Sequence, residues 1–205
     1  MTEFERMSAG KLYDTSEKAL ANMRLKAHKL SKDYNDTYED EEEKRAEILK
    51  KLCPNLGKGT YLQGPVQFDY GVNFITGKNC YANFNLTVLD CAPVTLGDDV
   101  FIGPNCQLVP PMHPLLTEER KIYFKEDGTP YDKEYAKPIV IKDGVWLASG
   151  VTVCGGVTIG KNCVIGAGSV VTKDIPDGVL AAGNPCRVIR EITKEDSVYL
   201  KKELF

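Results

Sequence analysis

A period of six residues governs the chain from about residue 60 onward. Written in register, it reads LGDDVF (96–101), IGPNCQ (102–107) and, after an interruption, IKDGVW (141–146), LASGVT (147–152), VCGGVT (153–158), IGKNCV (159–164), IGAGSV (165–170) and VTKDIP (171–176). An aliphatic residue opens every unit, and a small or β-branched residue usually stands four positions later. Earlier units, YGVNFI (70–75), TGKNCY (76–81) and ANFNLT (82–87), keep the spacing more loosely. Such a repeat is too short for a pair of helices but fits a short strand plus a corner, three to a coil. Each opening aliphatic then points into a shared core, while glycine and asparagine occupy corners that need unusual dihedrals. The expected fold is mostly β, a parallel β-helix.

Seven cysteines without a CxxC pair argue against a disulfide framework or a zinc site. Cys80, Cys106 and Cys163 all fall at the fifth position of their units, so they are expected as buried, unreactive thiols filling a small apolar slot.

The N-terminal region has a different grammar. Leu20, Met23, Ala27 and Leu30 recur at spacings of three and four, which marks one face of a helix, with Ser16 as its cap. A second helix is expected from about Tyr38 to Leu52. Its acidic start, Asp40 to Glu43, complements the helix dipole, and Cys53-Pro54 ends it. The organisation expected is a helical segment over 1–58, a β-helix over 59–188 and a tail over 189–205.

Residues 113–138, HPLLTEERKIYFKEDGTPYDKEYAKP, carry no hexad yet separate two repeat tracts that must stack on each other. A long loop expelled from a regular solenoid is usually functional. It begins at His113, one of two histidines in the chain.

With 26 basic and 29 acidic residues well mixed over 205, the formal charge is −3, and nothing resembles the basic stripe that tracks a phosphate backbone. Nucleic acid is therefore excluded as an expected partner. No stretch reaches the apolar length of a membrane helix, and the N-terminus has no signal-peptide core, so a cytoplasmic protein is expected.

The run VTIGKNCVIGAGSVVTKDIP followed by AAGNPCRVIREI resembles the hexapeptide-repeat acyltransferases. The N-terminal MSAGKLYD, the stretches FDYGVNF and YANFNLTVLD, and the single histidine before a long loop narrow the resemblance to the galactoside and maltose O-acetyltransferases, over about residues 5–192. The resemblance implies a left-handed β-helix, a homotrimer with sites between neighbouring subunits, and acetyl-CoA as donor, with no metal required. It implies acetyl transfer to a sugar hydroxyl.

A thioester is already activated, so the group such a transfer needs is a base that takes the hydroxyl proton. Histidine, with an ordinary pKa near 6.5, suits that task. Read alone, His113 is a turn residue; at the family's position it is the base. His28, in LKAHKL, is expected at the surface or in packing. The resemblance implies a partner for His113 from the loop near Glu134, either its carboxylate or a backbone carbonyl. Asp69, Asn83, Asp90 and Asp14 match acceptor-binding positions, Asn83 also as a donor to the transferring carbonyl. Ser149, Ala167 and Thr172 match positions along the CoA arm, and Lys173, Arg187 and Arg190 its phosphate end. Trp146, the only tryptophan, closes its hexad and is expected to face outward, at an interface or cofactor contact.

The chain departs from the family in four places. Val109 to Met112 (VPPM) stand where Thr-Ala-Thr is common, and Leu147-Ala148-Ser149 replaces Ile-Gly-Gly. Cys154 and Gly155 replace an asparagine and a proline, and the loop carries extra residues around FKEDGTPYD. These changes touch the acceptor side, so a xenobiotic or antibiotic hydroxyl is the alternative acceptor. A non-catalytic hexapeptide protein is the alternative to an enzyme. A metal-dependent carbonic anhydrase would need several histidine ligands on the coils, where only His113 stands.

Overall fold

The six-residue period closes into three parallel faces in the computed structural model, which describes residues 1–204. The first face stacks Tyr61–Leu62, Tyr81–Ala82, Phe101–Ile102, Trp146–Leu147, Val164–Ile165 and Val179–Ala182. The second stacks Val66–Phe68, Leu86–Val88, Gln107–Val109, Thr152–Cys154 and Val170–Val171; the third stacks Phe74–Thr76, Val94–Leu96, Ile139–Ile141 and Thr158–Ile159. All these neighbours pair in parallel.

The hexad openers Leu96, Ile102, Ile141, Leu147, Val153, Ile159, Ile165 and Val171 are all 3% exposed or less, so they form the column of the core. The fifth positions complete it. Cys106 and Cys163 are fully buried beside Val100, Val145 and Val151. Burial raises the Cys80, Cys106 and Cys163 thiols, as expected of structural cysteines.

Corners use asparagine where the backbone must be left-handed. Asn85 and Asn105 sit at φ of 61° and 60°, and the Asn85 amide donates to Asn105 Oδ1 of the next coil at 3.0 Å. Hexad glycines follow from stacking. A Cβ on Gly97 would fall 2.2 Å from Asp143 Oδ1 and 2.6 Å from its backbone nitrogen.

The looser register of the first tract has a structural reason. Trp146 pairs with Val164, a coil of 18 residues, whereas Tyr61 pairs with Tyr81, a coil of 20. The surplus lies at the corner from the second face to the third, at 69–73 and 89–93. Residues 110–138 leave from that same corner one coil later.

At the N-terminal end, α1 (Glu3–Ser8), α2 (Lys18–Asn35) and α3 (Glu42–Leu52) pack on the coils. Leu20, Ala27, Ser31 and Tyr34 form the buried face of α2, and Ala27, Tyr34 and Leu52 share one cluster with Leu62, Phe68 and Phe74. The cap of α2 is Glu17, whose carboxylate accepts from Leu20 N at 3.1 Å, rather than Ser16. Ser16 is drawn away by Asp14, to which both its amide and its hydroxyl donate. At the other end, Arg187–Glu191 folds back antiparallel on Val179–Ala182 and covers the last rung of the first face. No helix among the described residues is long and apolar enough to cross a membrane.

Candidate active site

The interruption is not simply a loop. It carries a one-turn helix, α4 (Thr117–Arg120), a hairpin of Tyr123–Phe124 on Pro130–Tyr131, and a returning strand, Lys133–Ala136. That strand sits between Pro111–Met112 and Tyr13–Asp14 in an antiparallel sheet, with Met112 opposite Tyr135 and Tyr13 opposite Glu134. Pro111–Met112 is thus an edge strand, where a residue without an N–H is tolerated. The prolines of VPPM therefore fit their place, and His113 follows directly at the strand's end.

The His113 side chain is about half exposed, and its Nδ1 lies 3.7 Å from Asp132 Oδ2. The Thr15 hydroxyl donates to the other oxygen of Asp132. Glu134 completes the group: one nitrogen of His113 and one oxygen from each carboxylate all lie within 4.8 Å of one another. Burial raises the Glu134 carboxyl above the ordinary range, against the hydrogen bond it receives from the buried Tyr13 hydroxyl and the facing imidazole. Tyr13 is itself raised, by burial first and by Glu134 second.

Asp69 belongs to the same constellation through its field on Glu134. Burial raises its carboxyl too, opposed by His28 and Arg24 from α2. Arg24 is held by the Tyr70 hydroxyl at 2.8 Å and the Thr15 carbonyl at 2.9 Å. The second-to-third corner therefore gathers His113, Asp132, Glu134 and Asp69, with His28 of α2 beside Asp69. Of these, the sequence reading missed Asp132 and Arg24 and placed His28 away from the site. The spacing of Arg24 and His28, four apart on α2, was the available signal.

Two expected acceptor residues have other tasks. Asp90 is fully buried, and its two oxygens accept from Tyr70 N at 2.8 Å and Asn73 N at 3.0 Å. It ties the corner together and has no face left for a sugar hydroxyl. Asp14 is committed as well: Lys125 of the hairpin pairs with one oxygen at 2.6 Å, and Ser16 occupies the other.

The remaining expected residues lie elsewhere on the prism. Asn83, Ser149 and Ala167 stack at the corner from the first face to the second, Ser149 and Ala167 exposed and Asn83 half-buried. Asn83 Oδ1 accepts from Phe84 N, which leaves its amide nitrogen facing away. Thr172 and Lys173 are exposed at the second-to-third corner, two coils beyond the one His113 leaves from. Arg187 is exposed, whereas Arg190 is held by Asp196 in a two-pronged pair at 2.8 and 2.6 Å rather than free. Trp146 faces outward, 52% exposed, in a column with Phe101, Tyr81 and Tyr61 on the first face.

Residues 6–57 match the maltose acetyltransferase hexapeptide capping motif, and residues 138–173 match the bacterial transferase hexapeptide of six repeats. Over 97% of its length the chain is 44% identical to the galactoside O-acetyltransferase of Escherichia coli K12, covering 94% of that protein. The chain belongs to the galactoside and maltose O-acetyltransferase family. Solved structures of this family agree with the fold. A galactoside acetyltransferase in complex with coenzyme A matches with a TM-score of 0.86 at 44% identity, over 96% of this chain and 94% of the other. A maltose O-acetyltransferase from Clostridium difficile 630 matches with a TM-score of 0.86 at 42% identity, over 95% and 99%. The mostly β solenoid read from the hexads is thus the family's architecture. The N-terminal helices that close its first coil are the stretch that matches the capping motif.

Proposed function

We propose that this enzyme transfers the acetyl group of acetyl-CoA to a hydroxyl of a sugar or similar small acceptor, with His113 as the base. The observation that carries this reading is the orientation of His113, with Nδ1 toward the Asp132 carboxylate and the ring half exposed. Nε2 is then the nitrogen that meets the acceptor. The hydroxyl oxygen attacks the thioester carbonyl as its proton passes to Nε2, and the tetrahedral intermediate expels the CoA thiolate, which takes that proton back. No acyl-enzyme is needed. The Asn83 amide supports the oxyanion, and Asp69 accepts from the acceptor hydroxyls.

The working unit is a homotrimer with sites between copies. The base and Asp69 stand at the second-to-third corner, whereas Asn83, Ser149 and Ala167 stand at the first-to-second corner. One chain holds these corners apart across its second face, so they meet when one copy's corner approaches the other corner of its neighbour. The outward column of exposed Tyr61, Phe101 and Trp146 with half-buried Tyr81, beside the first-to-second corner, suits such a contact. The CoA phosphates are met by Lys173 and Arg187, and by Arg190 once it leaves Asp196.

The test is thiol release from acetyl-CoA over a panel of glycosides, amino sugars and xenobiotic alcohols, with calorimetry of CoA binding. Activity in the wild type that is absent in His113→Ala, with CoA binding retained, supports the reading. Equal rates in the two proteins would remove the base, and failure to bind CoA would favour a non-catalytic role.

A further inference from the structure

We infer that Asp132, anchored by Thr15, is the positioning residue that supports His113 when the ring takes its proton; this rests on His113 being the base. Glu134 stands beside the ring as well, but with a different environment. Among the described residues no carbonyl oxygen hydrogen-bonds the His113 ring. Glu134 is half-buried and held by the Tyr13 hydroxyl, and burial favours its neutral form. Asp132 differs in both respects: one oxygen is fixed by the Thr15 hydroxyl, and the other faces Nδ1 at 3.7 Å.

That distance decides what the contact does. It is too long for a hydrogen bond to a neutral ring, yet it is within ion-pair range of an imidazolium. An interaction that is weak in the resting state and strong once the ring is charged acts on the transition state rather than on binding. Its carrier comes from the inserted part of the loop, and its anchor comes from just beyond the N-terminal strand. The titratable groups around the ring are Asp132 and Glu134 on the loop side. Behind Glu134 stand Asp69 and its neighbours Arg24 and His28, and Lys125 is neutralised by Asp14.

Asp132→Asn keeps the shape and an acceptor for Thr15 but removes the charge. The expected result is a fall of kcat by about 10- to 100-fold, in line with a general-base contribution, with both KM values unchanged. Asp132→Glu restores part of kcat. Unchanged kcat in Asp132→Asn, or a loss that Asp132→Glu does not partly restore, beside an inactive His113→Ala, would overturn the role of Asp132 and leave the base intact. An active His113→Ala would instead overturn the base itself.

Discussion

His28 Nε2 lies 3.7 Å from Asp69 Oδ1, so each of the chain's two histidines faces a carboxylate of the same constellation. His28 arrives on α2 and His113 at the end of an edge strand. Because Asp69 is half-buried and raised by that burial, the groups facing it govern how well it accepts a sugar hydroxyl. His28→Ala is expected to raise the acceptor KM roughly 3- to 10-fold, the loss of about one hydrogen bond's worth of binding. kcat and acetyl-CoA affinity should hold. Initial rates against acceptor concentration check this, and a fall in kcat at constant KM would place His28 in the chemistry instead.

Arg45 supports the closure of the first coil. Buried to 6% exposure, it donates to the Leu62 and Gln63 carbonyls at 3.0 and 2.9 Å and to the Tyr34 hydroxyl at 2.6 Å, with its guanidinium 4.4 Å from the Tyr34 ring centre. Arg45→Met keeps the volume but strands the Gln63 carbonyl, while the Leu62 carbonyl keeps its bond from the Tyr34 hydroxyl, so a loss of about 2 kcal/mol is expected in urea unfolding. Arg45→Lys should recover little, since one ammonium does not reproduce the planar fork. A loss below about 0.5 kcal/mol, the size of an ordinary surface substitution, would mean that water replaces the guanidinium there.

The legible part of this protein is the part in which neighbours in space are also regular in sequence. Leu96, Ile102 and Ile141 announce their burial by position, and Asn85 and Asn105 announce their corners. Even the blurred register of residues 70–87 carried information, because its two surplus residues per coil mark the corner where the site is built. The returning strand was not legible. Its partners, Tyr13–Asp14 and Pro111–Met112, are distant in sequence, and no periodicity connects them. Asp132 was hidden for the same reason, between the hairpin and the returning strand of a segment with no repeat. Asp90 misled because a carboxylate serving buried backbone amides looks, in sequence, like one serving a ligand.

The stacking rule can be tested at two corners that obey different physics. Gly97→Ala places a methyl 2.2 Å from Asp143 Oδ1 and 2.6 Å from the backbone of the next coil, which cannot move without opening the ladder. A loss of about 2–3 kcal/mol is expected from this overpacking. Asn105 is limited by its dihedral instead, at φ 60°. Asn105→Gly should be near neutral, while Asn105→Ala is expected to lose about 1–2 kcal/mol. Denaturant midpoints of the three variants check the order, and a Gly97→Ala protein as stable as Asn105→Gly would show that the coils are not packed at this corner.

Thiol labelling asks whether the coils stay closed in solution. Thiolate is the reacting form, and burial raises every one of Cys53, Cys80, Cys91, Cys106, Cys154, Cys163 and Cys186. Six of them are buried and only Cys154, at the end of its strand on the second face, is partly open. An aromatic disulfide reagent near pH 8 should therefore label Cys154 first and slowly, and all seven thiols only in denaturant. Cys154→Ser should abolish the early phase. Since Cys106 and Cys163 fill the fifth-position slots of the core, their rates report opening of the coil itself rather than surface access. Labelling of either on the timescale of Cys154 would mean that the rungs on either side of the inserted loop separate readily, and that the site corner they carry is not rigid.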